Sequence, residues 1–148
     1  MKIYIDQSGK VEYTSQDTII AYSNGSQKSI CMKAKDKREL QSIFREAGKP
    51  DMFVFRTFGT LIYLLIEDDL DHIDSMVIDT EYIGYEHLIK DTLMQLIRRK
   101  EKYFDKNSIH FKRVGKNHQC HVIALGTFRG ERKPNRITDV QEVLTYVL

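Results

Sequence analysis

The sequence predicts an α/β domain: a mixed five-stranded sheet, made of a three-strand antiparallel meander plus two parallel strands, flanked by helices. Three observations predict it. Up to Met32 the chain holds three short runs rich in Ile, Val and Tyr separated by turn residues, which is how consecutive strands read. Two later strand-like runs, at 76–79 and 108–114, are each followed by a stretch with helical character, an alternation that makes parallel strands with helical crossovers. A chain of 148 residues suits one domain with a core of its own, so 1–148 is read as a single domain.

The elements follow in order. Residues 2–6 are a short apolar strand ending in Asp6, and Gln7-Ser8-Gly9-Lys10 turns the chain. A second strand spans 18–22. Ser23-Asn24-Gly25-Ser26 is a hairpin signal, because Asn-Gly tolerates the positive φ of a tight turn, and 29–32 is the returning strand. Leu40, Ile43, Phe44 and Ala47 share a helix face, and Gly48-Lys49-Pro50 stops that helix. Residues 52–55 read as a short strand. The apolar run 57–70 suits a helix or a strand on periodicity and is read as a helix. Its end, Glu67-Asp68-Asp69-Leu70-Asp71, is a solvated terminus rather than a metal cluster. After the strand at 76–79, Leu88, Ile89, Leu93, Leu96 and Ile97 make an amphipathic stripe. A strand at 108–114, a turn at Gly115-Lys116-Asn117, a helix at 118–128, a loop at Pro134-Asn135-Arg136 and a helix from Thr138 complete the chain.

Composition narrows the class. Hydrophobic residues at 41% and charged residues at 30% are ordinary for a globular protein. Cys31 and Cys120 are isolated, without a C-x-x-C spacing, which fits a reduced, cytoplasmic protein. The chain opens directly into a strand pattern with no basic-then-apolar leader. The most apolar region, 52–66, carries Arg56 and is too short to span a bilayer, so no membrane association is expected. Net charge is only +2 but unevenly placed. Residues 1–97 hold 11 basic and 16 acidic side chains, a net of −5, whereas 98–136 hold 12 and 3, a net of +9. Such asymmetry reads as a polyanion-binding face or as a solvated one.

Two acids stand out. Met76-Val77-Ile78-Asp79 delivers a carboxylate at the end of an apolar strand, as Ile3-Tyr4-Ile5-Asp6 does near the start. If these strands are neighbours, Asp6 and Asp79 meet at one end of the sheet, where ligands of such folds gather, and a cation between them would relieve their repulsion. Taken singly, each Asp is also a good turn former or helix start. Glu81, two residues past Asp79, points the same way along an extended chain. His118-Gln119-Cys120-His121 opens a late helix, and residues at i and i+3 share a face.

This order of elements, with Asp6 on the first strand, Asp79 closing the fourth and His118/His121 opening a late helix, resembles the ribonuclease H-like superfamily. Its motif layout is most similar to the RuvC-type Holliday-junction resolvases and related nucleases. The resemblance implies that the first and fourth strands are parallel neighbours. It further implies a divalent-metal-dependent nuclease, hydrolysing phosphodiesters of DNA or RNA with two Mg²⁺ or Mn²⁺ ions, with a homodimer for a resolvase-like role. Asp6 would bridge the ions, Asp79 would hold one, and His118 or His121 would complete the other, with Glu81 a weaker ligand or a base that orients water. Two features depart from the family: histidines replace the usual late-helix Asp, and the first strand runs into Gln7-Ser8-Gly9. Imidazole ligands would favour Mn²⁺. Arg98, Arg99, Lys112, Arg113, Lys116 and Arg129 are the candidate phosphate contacts.

Two rival readings belong to other classes. One is a non-catalytic ribonuclease H-like adaptor that binds nucleic acid or a protein. The other is a zinc module of His110, His118, Cys120 and His121, whose spacing matches no structural zinc pattern and whose neighbours Cys120 and His121 share a tetrahedral face poorly.

Overall fold

Ile3 and Ile5 alternate with Tyr4 and Asp6 along the first strand, and that alternation divides the molecule into two faces. The computed structural model describes residues 1–24 and 26–147. Six strands and five α-helices form among them: β1 (Lys2–Ser8), β2 (Thr18–Ser23), β3 (Gln27–Met32), α1 (Ala34–Glu46), α2 (Phe53–Ile66), β4 (Ser75–Asp79), α3 (Glu86–Lys100), β5 (Ile109–Lys112), α4 (Gln119–Phe128), β6 (Arg136–Thr138) and α5 (Val140–Val147). The strands make one mixed sheet in the order β5-β4-β1-β2-β3-β6. The expected antiparallel meander is present as β1–β2–β3, and β4 lies parallel to β1. Gly25 of the expected Asn-Gly turn lies outside the described residues. On either side of it Ser23 pairs with Gln27.

Four expectations are corrected. The sheet has six strands, not five, because residues 136–138 pair in parallel with β3 instead of forming a loop. Three residues are too few to show alternation. The pairing is extended by Asn135, whose Oδ1 accepts from the Ser29 N–H at 2.8 Å and whose own N–H donates to the Ser29 carbonyl at 3.1 Å. Residues 52–55 are not a strand: a 3₁₀ turn at Pro50–Met52 leads into α2. Ten consecutive α2 residues from Thr57 to Ile66 are buried, and a helix buried all round lacks the amphipathic stripe that identifies one. β1 runs on through Gln7 and Ser8, so Asp6 lies inside the strand rather than closing it. The last helix begins at Val140, since Thr138 is taken by β6.

The two faces have different covers. Ile3, Ile5, Ile20, Tyr22, Ile30, Met32, Met76 and Ile78 point into the main core with residues of α1, α2, α3 and α5. On the opposite face Ile19, Ala21 and Cys31 pack against Ile123, Ala124 and Phe128 of α4. No described helix is long and apolar enough to cross a membrane.

The β1–β2 connection is held by two groups. At Gly9 the backbone takes φ +75°, and a Cβ there would lie 2.1 Å from the Asp17 carbonyl oxygen and 2.6 Å from a Phe128 ring carbon. Only glycine fits both the conformation and the space. Lys37 of α1 is fully buried, and its ammonium donates to Lys10 O (3.2 Å), Tyr13 O (2.9 Å) and Thr18 Oγ1 (2.9 Å). Burial lowers its pKa to about 8, against the raising effect of Asp17 and Glu12. Between that value and the unfolded value of about 10.4 the unfolded chain binds the extra proton, so stability rises with pH across this window. Lys37→Met is expected to destabilise the fold by about 1–3 kcal/mol through its orphaned acceptors. Its urea midpoint is also expected to lack the alkaline rise of the parent between about pH 8 and about pH 10.5. Parallel urea titrations at both ends of the window check this.

Candidate functional site

The parallel register of β1 with β4 pairs Ile5 with Ile78, so the next residues, Asp6 and Asp79, stand side by side. Both belong to the sheet face covered by α4. Glu81 follows Asp79 on the same side, and one carboxylate oxygen from each of the three lies within 4.8 Å of the others. Asp6 is buried, while Asp79 and Glu81 are half-buried. They line a cleft of about 560 Å³ shared with Gln7, Arg113, Gly115, Lys116 and His121.

Each acid is fixed by a hydrogen bond that leaves it facing the others. Asp79 Oδ1 accepts from the Val114 N–H at 2.7 Å, which ties the end of β4 to the segment after β5. Asp6 Oδ1 accepts from the adjacent Gln7 N–H at 2.8 Å. Asp6 Oδ2 lies 2.6 Å from His121 Nδ1. An ionised carboxylate only accepts, so in this contact His121 Nδ1 donates to Asp6 Oδ2.

Crowding makes this cluster electrostatically costly. Burial raises the Asp6 carboxyl above its ordinary range, and Asp79 adds to the rise, against the Gln7 N–H and His121. Glu81 is pushed up to about 8 by burial first, then by the charges of Asp6 and Asp79. Three oxygen donors converging this closely, with the Asp6 and Glu81 carboxyls both raised above their ordinary range, are what a small divalent cation neutralises.

Of the five expected site residues, Asp6, Asp79, Glu81 and His121 come together, and His118 does not join them. His118 is the N-cap of α4, with extended backbone at ψ 144°. Its Nδ1 accepts from the Cys120 N–H at 3.2 Å, and its ring lies 4.4 Å from that of Tyr4. The i, i+3 rule holds for two residues within a helix, and His118 stands just outside. His121 is in the site through a hydrogen bond to Asp6, and the 4.8 Å ligand group is all carboxylate.

The expected cations divide similarly. Arg113 and Lys116 line the cleft, and Lys112 is paired in register with Asp79. Arg98 and Arg99 are at the far end of α3, a helix about 22 Å long, where an Arg98 N–H donates to the Phe104 carbonyl at 3.5 Å. Arg129 caps the end of α4 remote from His121. The zinc grouping is not assembled: Cys120 is buried, with its thiol pushed up to about 12 mainly by burial, and His110 is exposed on β5.

One participant was not foreseen. Gln7 shares its strand face with Ile3 and Ile5, and its amide donates to the Tyr82 hydroxyl at 3.3 Å. That hydroxyl donates in turn to Glu12 at 3.0 Å. The signal was the Gln7 position in an alternation that continues past Asp6. Comparison with protein-family models, with curated proteins and with solved structures finds no match for this chain.

Glu81 gives a pH test. Its folded pKa is raised, so its contribution to stability is complete below the unfolded carboxyl value of about 4.3 and is lost as pH rises through about 8. In chelator-containing buffer, the melting temperature of the parent is expected to fall relative to Glu81→Gln as pH is raised from about 5 to about 9. Thermal melts of both proteins across that range check it. Parallel curves would mean that Glu81 titrates normally.

Proposed function

We propose that this chain is a ribonuclease H-like, divalent-metal-dependent nuclease that hydrolyses phosphodiester bonds of DNA or RNA. The observation that carries the reading is the Asp6–Asp79–Glu81 group, three carboxylate oxygens within 4.8 Å of one another just past the last β1–β4 partners, Ile5 and Ile78. The meander with β4 added parallel to β1 is the sheet arrangement that the resemblance implies.

The donor set fits the metal. All three converging donors are carboxylate oxygens, which suit Mg²⁺ or Mn²⁺ better than zinc. Asp6, Asp79 and Glu81 would hold the ions, which when bound supply a nucleophilic hydroxide and stabilise the leaving oxygen. The chain's own groups do the rest. The Val114 N–H and His121 orient Asp79 and Asp6. Arg113 and Lys116, which line the same cleft as the acids, offer the phosphodiester positive charge.

Three measurements test the reading. Mn²⁺ at about a hundred times its dissociation constant should stabilise the parent by about 2.7 kcal/mol, and Asp79→Asn should lose that gain while folding normally. Cleavage of labelled DNA or RNA should fall below detection in Asp6→Asn and Asp79→Asn, with neither variant melting below the parent in chelator. Normal cutting by both variants would move the chemistry elsewhere, and nucleic-acid binding without cleavage in either ion would assign the adaptor. Replacing Arg113 and Lys116 together should reduce the slope of log affinity against log salt by roughly 0.9 per lost phosphate contact on duplex DNA.

A further inference from the structure

A second polar recess opens beside the last turn of α4. Asp6 pairs in register with Ala21 of β2, and Ala21 pairs with Ser29 of β3. Directly opposed residues share a sheet face, so Ser29 faces the same side as Asp6, about 10 Å away across two strand spacings. Helix α4 lies over this face: His121 in its first turn reaches Asp6, and Thr127 near its end lines the recess together with Ser29. The recess shares no residue with the carboxylate cleft.

Its volume is about 210 Å³, and its polar lining is Gln27, Ser29, Thr127, Arg132, Lys133 and Asn135, with no acid among them. What these groups can offer a ligand follows from the bonds they already make. Arg132 donates to Gln27 Oε1 at 2.7 Å. The Ser29 N–H donates to Asn135 Oδ1 at 2.8 Å. A guanidinium and a backbone N–H only donate, so both side-chain amide oxygens are engaged and both amide nitrogens keep their donors. The Thr127 hydroxyl is turned back on the Ile123 carbonyl at 2.7 Å. Among the described residues, no carboxylate pairs with Arg132 or Lys133. The recess therefore offers two cations and two amide donors, while its amide oxygens are already occupied.

Arg132 is held along its length as well. Its stem lies against α4 at Gly126, where a Cβ would stand 3.5 Å from the arginine Cδ. The last carbonyls of a helix repel an anion, but here they are capped. Those of Leu125, Gly126 and Thr127 accept from the N–H groups of Arg129, Glu131 and Gly130. Fixed donors and positive charge without competing acids select an anion with several oxygens. The volume is below the roughly 300 Å³ at which pockets for drug-sized ligands begin, so the ligand is small.

We infer that this recess is an anion site that binds one phosphate group, either free or carried in a nucleic-acid backbone. The inference stands apart from the nuclease reading, because none of its residues holds or orients the carboxylates.

The test follows the side-chain amide resonances of Gln27 and Asn135 in the isotope-labelled full chain as inorganic phosphate is added. Phosphate is expected to shift both resonances saturably, and chloride at matched ionic strength to leave them in place. Gln27→Glu keeps an oxygen for Arg132, and Asn135→Asp keeps one for Ser29, but each exchanges the amide donor for a second carboxylate oxygen. Both positions are exposed, so both variants should fold. Each is expected to weaken phosphate binding roughly tenfold, as loss of one charge-assisted hydrogen bond does. Arg132→Gln combined with Lys133→Gln should abolish it. No saturable shift, an equal shift with chloride, or unchanged affinity in the Arg132→Gln, Lys133→Gln protein would overturn the inference. A short DNA strand added in chelator then separates the two sources. If it moves the same resonances and Gln27→Glu weakens its binding, the site takes a backbone phosphate. If only inorganic phosphate moves them, the site takes the free anion. Either result sustains the phosphate site.

Discussion

The parallel pairing of β1 with β4 is the constraint from which the remaining features follow. Ile5 and Ile78 are partners in it and both are fully buried, so the register is locked by core packing. A slip of one residue would turn every side chain of one strand to the opposite face, exchanging an acid for an isoleucine in the main core. In the observed register two carboxylates are forced together at one end of the sheet. Their repulsion is a cost the fold bears, offset in part by the Val114 and Gln7 N–H groups and by His121.

The unequal cover of the two sheet faces decides where a cleft opens. Helices α1, α2, α3 and α5 build the core on the face bearing Ile3 and Ile5, where the Thr57 and Thr60 hydroxyls of α2 are buried without a hydrogen-bond partner. On the other face α4 packs over β1, β2 and β3. The acid-bearing ends of β1 and β4 therefore lie at its margin, with His121 on its first turn reaching Asp6. Acids carried on strand ends, with their orientation set by backbone N–H groups, are held more rigidly than acids on a free loop. Glu81 alone lies past a strand end, and burial, with the charges of Asp6 and Asp79 added to it, pushes its carboxyl up to about 8.

How far the sequence disclosed this arrangement depends on the range of the interaction involved. The meander and the two acids Asp6 and Asp79 were legible because alternation, turn residues and acids following apolar runs are local signals; that the first and fourth strands are parallel neighbours was expected only from the resemblance. Glu81 was legible as a same-side neighbour of Asp79 but not as a full member of the triad, since its position depends on the turn at 80–82. The strand at 136–138 was not legible: its existence depends on Ser29, over a hundred residues away, offering backbone groups to Asn135. The opening of α2 was misread because burial on all sides erases the helical stripe. His118 was assigned to a helix face it does not occupy, because a residue that caps a helix and one that begins it look alike in sequence.

Tyr82 connects the carboxylate cluster to the rest of the molecule. Its ring is buried against Phe55 and Phe58 of α2, and its hydroxyl is bonded to Gln7 on β1 and Glu12 on the β1–β2 connection. Glu12 belongs to the segment whose carbonyls are held by Lys37, so a chain of contacts runs from α1 through that connection to the residue beside Glu81. Burial alone would accept phenylalanine at this position. The hydroxyl adds a tie between the strand that carries Asp6 and the loop that carries Glu81. The distance between the acids is therefore set twice, by the sheet register on one side and by the Tyr82 hydroxyl on the other. That second restraint is what lets the residue past the strand end share a site with two residues inside it.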